Sequence, residues 1–459
     1  MKSVKNGLVL ITVLALLLGM AACGTKPAAT TPTPSASAPA PAQTSSKPAP
    51  TPSASTAAPV TINFFSNLPD RTSGQGKLEQ TLLDNYMAAN SNVTIKVEAL
   101  QDEPYKQKFQ SYVASNSLPD ICSVWGQPSF LQAVMEKGYV AELKPADYTD
   151  YGFFKGATTD FSYNGKLYGL PRNQDMTTLY INKSMFDANG VKVPTTYNEL
   201  LEAAKAFRAK NIQPLAINGK DKWILSLFFE DIEIKVSGNQ DTIYNACDQT
   251  TKFATDADIR KAAELFKQLV DAGLFQDSFT SADYAAAQNL FLQEQTPMFY
   301  MGAWEVGMAG NMENSEHFRN NVDLVPFPVV EDGKGKVSDI CAWNGGGYSV
   351  SATSPVKEEA VKLLNYMMSP DNWVKTGWQN GLVVPGQDYT KYLTGKENIL
   401  QTGVTNILQS STSMSGTSWN DYLPGEWKTN NENLIQEFAA GIISVDEFLA
   451  GLDEAAQNQ

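Results

Sequence analysis

The chain has 459 residues, with 35 Lys and Arg against 49 Asp and Glu and a formal net charge of -14. That length suffices for a large core divided into two lobes, and so acidic a chain, with no Lys/Arg cluster, excludes nucleic acid as a partner and disfavours direct docking onto anionic lipid. The single histidine, His317, lies in the polar stretch Asn314-Ser315-Glu316-His317 and reads as a solvated surface residue. One histidine cannot make a paired-histidine metal site, and it leaves a Ser-His-Asp triad only that ring, so metal hydrolysis and acyl transfer are weak readings. No Gly-Lys-Ser/Thr phosphate cradle occurs, and the glycines at 345 to 347 lack dinucleotide-loop spacing, so no cofactor is expected.

In chain order, Lys2 and Lys5 open a positive start, Leu8 to Leu18 is an apolar run too short to span a membrane comfortably, and Met20-Ala21-Ala22 places small residues before Cys23. This pattern is similar to the lipobox of bacterial lipoproteins. The likeness implies a signal peptide over 1–22, acylation of the Cys23 thiol, and a mature protein lipid-anchored on the extracellular face of the cell membrane. Residues 23–59 are almost wholly Pro, Ala, Ser and Thr after the cysteine and cannot form a core. They read as a tether, reaching on the order of 100 Å if fully polyproline-like. Cys122, Cys247 and Cys341 are odd in number and widely spaced, so they read as buried small apolar residues.

The folded part is expected to begin with the strand Val60 to Phe65, which breaks into the polar loop Ser66 to Arg71. Leu78, Leu82, Leu83, Tyr86 and Met87 recur at helical spacing, and Val93 to Val97 reads as a strand, completing a βαβ opening. A helix from Pro104 to Ser115, a strand from Ile121 to Trp125 and a helical stretch from Phe130 to Met135 continue the α/β alternation, which argues for a helix-covered, largely parallel sheet. Tyr163-Asn164-Gly165-Lys166 is a hairpin signal, and Thr177 to Asn182 another strand. Thr196-Tyr197-Asn198-Glu199 and Ser444-Val445-Asp446-Glu447 read as capping boxes, and Ser354-Pro355 and Ser369-Pro370 as helix starts. Gly273 ends the apolar helical face of Ile259, Ala262, Ala263, Phe266, Leu269 and Val270.

Four stretches then combine: Ser117-Leu118-Pro119-Asp120-Ile121; Leu167 to Pro171 leading on to Tyr180 to Phe186; Pro297 to Trp304; and Gly346 to Ser351. In their order and spacing they resemble the extracellular solute-binding proteins, family 1, of ATP-binding-cassette importers, the group that includes the maltose-binding type. The resemblance covers nearly everything from Val60 onward. It implies a two-lobed α/β fold of the type II periplasmic-binding-protein kind, with hinge crossings and a cleft between the lobes, the first lobe holding 60–172 and 322–350 and the second 173–321 and 351–459. It further implies a monomer that captures a carbohydrate, in the main an oligosaccharide, delivers it to the transmembrane permease subunits of an importer, and performs no bond chemistry.

Sugar-binding members of that family set tryptophan and tyrosine faces against sugar C–H surfaces and polar side chains against hydroxyls, a division that suits a ring with an apolar face and a polar rim. The candidates so implied are Trp304, after an apolar strand and a Gly-Ala turn; Trp125, at a strand end; Asp175, eight residues before Lys183; and Asp221 with Trp223, after the strand Leu215 to Asn218. Asn67, Asp70 and Arg71 in the first strand-end loop, and Trp343 and Asn344 before the glycine run, complete the set. Trp373 and Trp378 fall on an expected helix and read as core, while Trp419, Asp421 and Tyr422 sit in a late polar loop as weaker candidates. Two readings from other classes stay open: a secreted glycosidase, which needs only two facing carboxylates, and a surface adhesin that binds without lobe closure.

Overall fold

The computed structural model describes residues 58–458, so the lipobox at Cys23, the signal peptide and nearly all of the 23–59 segment lie outside the described residues. The strands, in chain order, are β1 (Val60–Ser66), β2 (Val93–Ala99), β3 (Ile121–Trp125), β4 (Ser162–Tyr163), β5 (Lys166–Leu167), β6 (Leu170–Pro171), β7 (Gln174–Asn182), β8 (Leu215–Ala216), β9 (Met298–Gly302), β10 (Val322–Val325), β11 (Asp339–Asn344), β12 (Gly346–Val350) and β13 (Ser413–Gly416). They form two main sheets. The first runs β2-β1-β3-β12-β6, with β1 parallel to both β2 and β3 and with β12 antiparallel to β3 and β6. The second runs β13-β11-β7-β9-β8, and β10 also pairs with β7. β4 and β5 make the small hairpin at the Asn164-Gly165 turn, where both residues take positive φ.

Each sheet has its own core. Helices Gly74–Ala89 and Asp102–Ala114 bury Leu78, Leu82, Tyr105 and Phe109 against the first sheet, and Lys357–Met368 adds Leu363, Leu364 and Met367 to the same core. The second core is built around the helix Trp223–Ser237, whose residues from Ile224 to Ser237 are all buried. It is a core helix even though it carries the buried Glu230, Asp231, Glu233 and Lys235.

The expected lobe boundaries need correction. β10 and β11 bond to β7 in the second sheet, so of the span 322–350 only β12 joins the first. The helix Lys357–Met368, with Trp373 and Val383, packs in the first core, while Val374 and Trp378 already join the second, which continues from Val384. The reason is the apolar face of Lys357–Met368, which finds its complement on β1, β12 and the Gly74–Ala89 helix. The chain therefore passes between the halves at Arg172-Asn173, at Gly345 and near Val384 to Gly386. Backbone bonds lace these crossings together: Gly345 N–H to the Asn173 carbonyl at 3.1 Å, Gln174 N–H to Val384 at 3.2 Å, and Gly386 N–H to Arg172 at 3.3 Å.

Local readings fare unevenly. Ser444 and Glu447 form a reciprocal capping box, whereas Thr196 caps the Glu199 N–H but the Glu199 carboxylate turns to Thr195. Ser354 does not start a helix: its hydroxyl donates to Asp120 and the helix begins at Lys357. Ser369-Pro370 does open a helical stretch, although the Ser369 hydroxyl donates backward to the Tyr366 carbonyl. Trp373 and Trp378 are core, the three cysteines are buried and free, and His317 is exposed with Nδ1 2.6 Å from Glu294.

Within the second core Glu230 is buried and accepts the Trp419 N–H at 3.2 Å, and burial outweighs this and the nearby Cys341 thiol to push its carboxyl up to about 8 from 4.5. The folded state thus keeps a proton that the unfolded chain gives up. The neutral carboxyl supports the fold fully below pH 4.5, and this support is lost as pH rises toward 8, at up to ~1.4 kcal/mol per pH unit. Glu230→Gln, which cannot ionise, should flatten this part of the stability curve, so that urea unfolding at pH 5 and pH 8 differs less for the variant than for the parent.

Candidate functional site

The C-terminal ends of β1 and β3 open on the same side as the three crossings, and there a cavity of about 480 Å³ lies between the halves. Of the ten residues nominated from sequence, Asn67, Asp70, Trp125, Asp175, Trp223, Trp304 and Trp343 line it. Arg71, Asp221 and Asn344 do not. Arg71 turns away to pair with the buried Glu79 and to donate to Gln80 and the Leu68 carbonyl, holding the loop after β1. Asp221 folds back to accept from the Asn218 amide at 2.9 Å, and Asn344 donates to Asp160 at 3.0 Å, tying the β11 crossing to the first half.

The second half supplies an aromatic wall. Trp223 and Trp304 have ring centroids 5.9 Å apart, and Trp304 and Trp343 lie at 6.2 Å. Trp223 opens its helix just after Lys222, whose φ of 64° is a backbone turn that residues with a Cβ rarely make. Trp304 follows Gly302, and any Cβ at 302 would enter its indole ring, so the glycine lets the ring lie against the end of β9. The indole N–H of Trp304 donates to Tyr284 at 2.8 Å, and Tyr284 in turn donates to Glu305, which also accepts from Gln288 at 2.8 Å. Burial raises the Glu305 carboxyl against the pull of these two donors.

Facing that wall, the first half presents Trp125, packed edge-on to Phe130 at 5.1 Å, and Lys106. The Lys106 ammonium lies 5.4 Å from the Trp125 ring centroid and 6.0 Å from that of Trp223, so it bridges aromatics of both halves. It also pairs with Asp102 at 3.1 Å and Glu103 at 2.7 Å. Burial by itself would lower this ammonium, but the two carboxylates outweigh it and hold it well above the usual lysine range. Across the cleft Lys428 pairs with Asp421 at 2.9 Å and Glu432 at 2.8 Å, and the Ser129 hydroxyl of the first half donates to Asp421.

The floor is the crossing itself. Arg172 donates to Asn67 at 2.9 Å, and Asn173 donates to Asp175, whose burial raises it to about 7 despite the nearby Arg172 charge, the Asn173 amide and the Gly346 N–H. The glycine run is explained here by space. A Cβ on Gly345 would overlap the Asp175 carboxylate, and one on Gly346 would come within 2.8 Å of the Arg172 guanidinium.

Among the described residues, six buried side-chain atoms on the cavity lining have no hydrogen-bond partner: Gln75 Oε1, Asp102 Oδ2, Asn173 Oδ1, Asn420 Oδ1, Arg172 Nε and Trp223 Nε1. Buried polar groups are normally paired, so this concentration marks a place built to meet polar groups from outside the chain.

The comparisons with known proteins agree with this architecture. Residues 81–385 match the family described as bacterial extracellular solute-binding protein. The chain belongs to that family. Its curated relatives include the multiple sugar-binding protein of Streptococcus mutans, 23% identical over 316 residues, covering 67% of this chain and 71% of that protein. Another is the lactose-binding protein of Rhizobium radiobacter, 21% identical over 299 residues, covering 63% of this chain and 66% of that one. Among solved structures, a protein from work on xylan utilization by Caldanaerobius polysaccharolyticus superposes with a TM-score of 0.78 at 27% identity, over 86% of this chain and 99% of its own. A solute-binding protein in complex with raffinose superposes at 0.69 with 18% identity, over 87% and 99% of the two chains. The fold is accordingly the two-lobed, type II binding-protein fold.

In this solute-binding protein sequence reading missed Gln75, Lys106, Arg172, Asn173, Tyr284, Glu305, Asn420 and Lys428. Two signals were available. Asp102 and Glu103 stand four and three residues before Lys106, a helix-surface ion-pair spacing hidden because the helix was expected to start at Pro104. Arg172-Asn173 stands within three residues of the nominated Asp175 at the first crossing, and all three line the cavity.

The packing of the glycine run makes a direct test. Gly345→Ala should displace the Asp175 carboxylate and cost about 1–3 kcal/mol of stability, seen as a lower midpoint in chemical denaturation.

Proposed function

We propose that this protein is the ligand-capturing subunit of a bacterial ATP-binding-cassette importer, that its ligand is an oligosaccharide, and that a lipid on Cys23 holds it at the outer face of the cell membrane. The observation that carries the ligand class is the continuous wall of Trp223, Trp304 and Trp343 facing Trp125, combined with unpaired polar atoms on Gln75, Asn173, Arg172 and Asn420. Flat apolar rings meet the C–H faces of sugars, and the amide and guanidinium groups meet their hydroxyls. Two consecutive ring spacings of about 6 Å suit more than one pyranose unit. The names of the relatives, which speak of multiple sugars and of lactose, support the same class.

Capture works through the three laced crossings. The halves part to admit a ligand, and a ligand that touches Trp125 on one side and Trp304 on the other stabilises the closed shape, which is the form offered to the permease. No step of this needs a bond broken.

A thermal-shift screen of the fragment from Val60 onward against neutral oligosaccharides, amino acids and short peptides tests the reading. A sugar at 100 times its Kd should add about 2.7 kcal/mol to stability and be recovered chemically intact. Cleavage of the sugar would replace the reading with a glycosidase, and a response to peptides or amino acids alone would remove the carbohydrate. Trp304→Ala should weaken the responding sugar by at least about 30-fold, since a stacking ring at a site centre commonly contributes ~2 kcal/mol or more.

A further inference from the structure

Seven carboxylates and three cations line the cavity. Both ammonium groups are already paired, Lys106 with Asp102 and Glu103 and Lys428 with Asp421 and Glu432, while Arg172 donates to Asn67 and lies beside Asp175. A ligand carboxylate drawn to Lys106 or Lys428 would have to take the ammonium from its carboxylates and leave their charge buried and unpaired, which is a heavy cost, and one drawn to the free Nε of Arg172 would come up beside Asp175. Even if Asp175, Glu305 and Glu432, all raised by burial, carry protons, the remaining four carboxylates outnumber the three cations.

A second, independent observation points the same way. Of the six unpartnered buried atoms, four are acceptors, on Gln75, Asp102, Asn173 and Asn420, and two are donors, on Arg172 and Trp223. Gln75, Asn173 and Asn420 are at most 5% exposed. What the lining lacks is mainly donors. Hydroxyls supply them, whereas a carboxylate only accepts.

We propose that the cavity is a charge filter: it admits uncharged, hydroxyl-rich glycans and turns away glycans that carry uronate carboxylates, with Asp102 and Glu103 as specificity-determining residues. This rests on the oligosaccharide reading above. Both residues sit in the first turn of the helix Asp102–Ala114, beside Lys106 and its two tryptophan rings, so an incoming anion at that end meets them directly.

The experiment is a length-matched comparison, by calorimetry and thermal shift, of neutral tetramers of glucose, xylose and N-acetylglucosamine with tetragalacturonate and tetramannuronate, on the parent and on Asp102→Asn/Glu103→Gln. At least one neutral tetramer should bind the parent, with both uronates at least about tenfold weaker, and the double variant should raise the uronate-to-neutral affinity ratio by about tenfold or more at low salt. A uronate that binds the parent as tightly as the best neutral tetramer would overturn the filter and leave the oligosaccharide reading standing. An unchanged ratio in a variant whose circular dichroism matches the parent would remove the role of Asp102 and Glu103. Binding of no sugar of either kind would overturn the carbohydrate reading and the filter with it.

Discussion

The structure depends on three chain segments that cross side by side and share backbone hydrogen bonds, with Asn173 accepting from Gly345, Val384 from Gln174 and Arg172 from Gly386. Because the bonds run between crossings rather than within one half, each half can be a separately packed α/β unit while the gap between them keeps a defined floor. The same backbone fixes the chemistry of that floor: Arg172, Asn173 and Asp175 are consecutive or nearly so, and all three reach the cavity. Glycine at 345 and 346 is the condition for this. Any side chain there would compete with the carboxylate and guanidinium for the same volume.

From this floor the two walls differ in character. The second half contributes a rigid aromatic surface, each ring held by a neighbour: Trp304 by its bond to Tyr284 and by the bare Cα of Gly302, Trp223 by a left-handed turn at Lys222, Trp343 by its place on β11 opposite Asp175. The first half contributes Trp125 and a charged helix start. Rings with few rotatable bonds lose little entropy on meeting a ligand, which makes a preorganised platform economical in free energy. The charge clusters around Lys106 and Lys428 lie on opposite halves, and the Glu432 charge is felt at Lys106, so electrostatic as well as steric complementarity spans the gap.

The sequence reading and the structure part company at instructive places. The βαβ opening, the Asn164-Gly165 hairpin and the Ser444 capping box are local events, set by hydrophobic period and turn chemistry, and all three are present. The span 322–350 was read as belonging to one half. Strand propensity at 322–325 and 339–344 says nothing about which sheet edge is free, and the edges of β7 take both strands. Arg71 and Asp221 show the matching limit for site residues. Each stands beside residues that do line the cavity, but a buried Glu79 and a neighbouring Asn218 offer closer partners.

By itself the sequence determined the α/β character and the aromatic positions that line the gap, because period, composition and strand-end placement are properties of short segments. The tertiary structure decided which strands share a sheet, where the chain crosses between halves, which polar groups are left without partners, and how the charges on Lys106 and Lys428 are paired. Those depend on contacts between residues far apart in the chain, such as Gly345 with Asn173 or Ser129 with Asp421, and no local pattern encodes the distance between them.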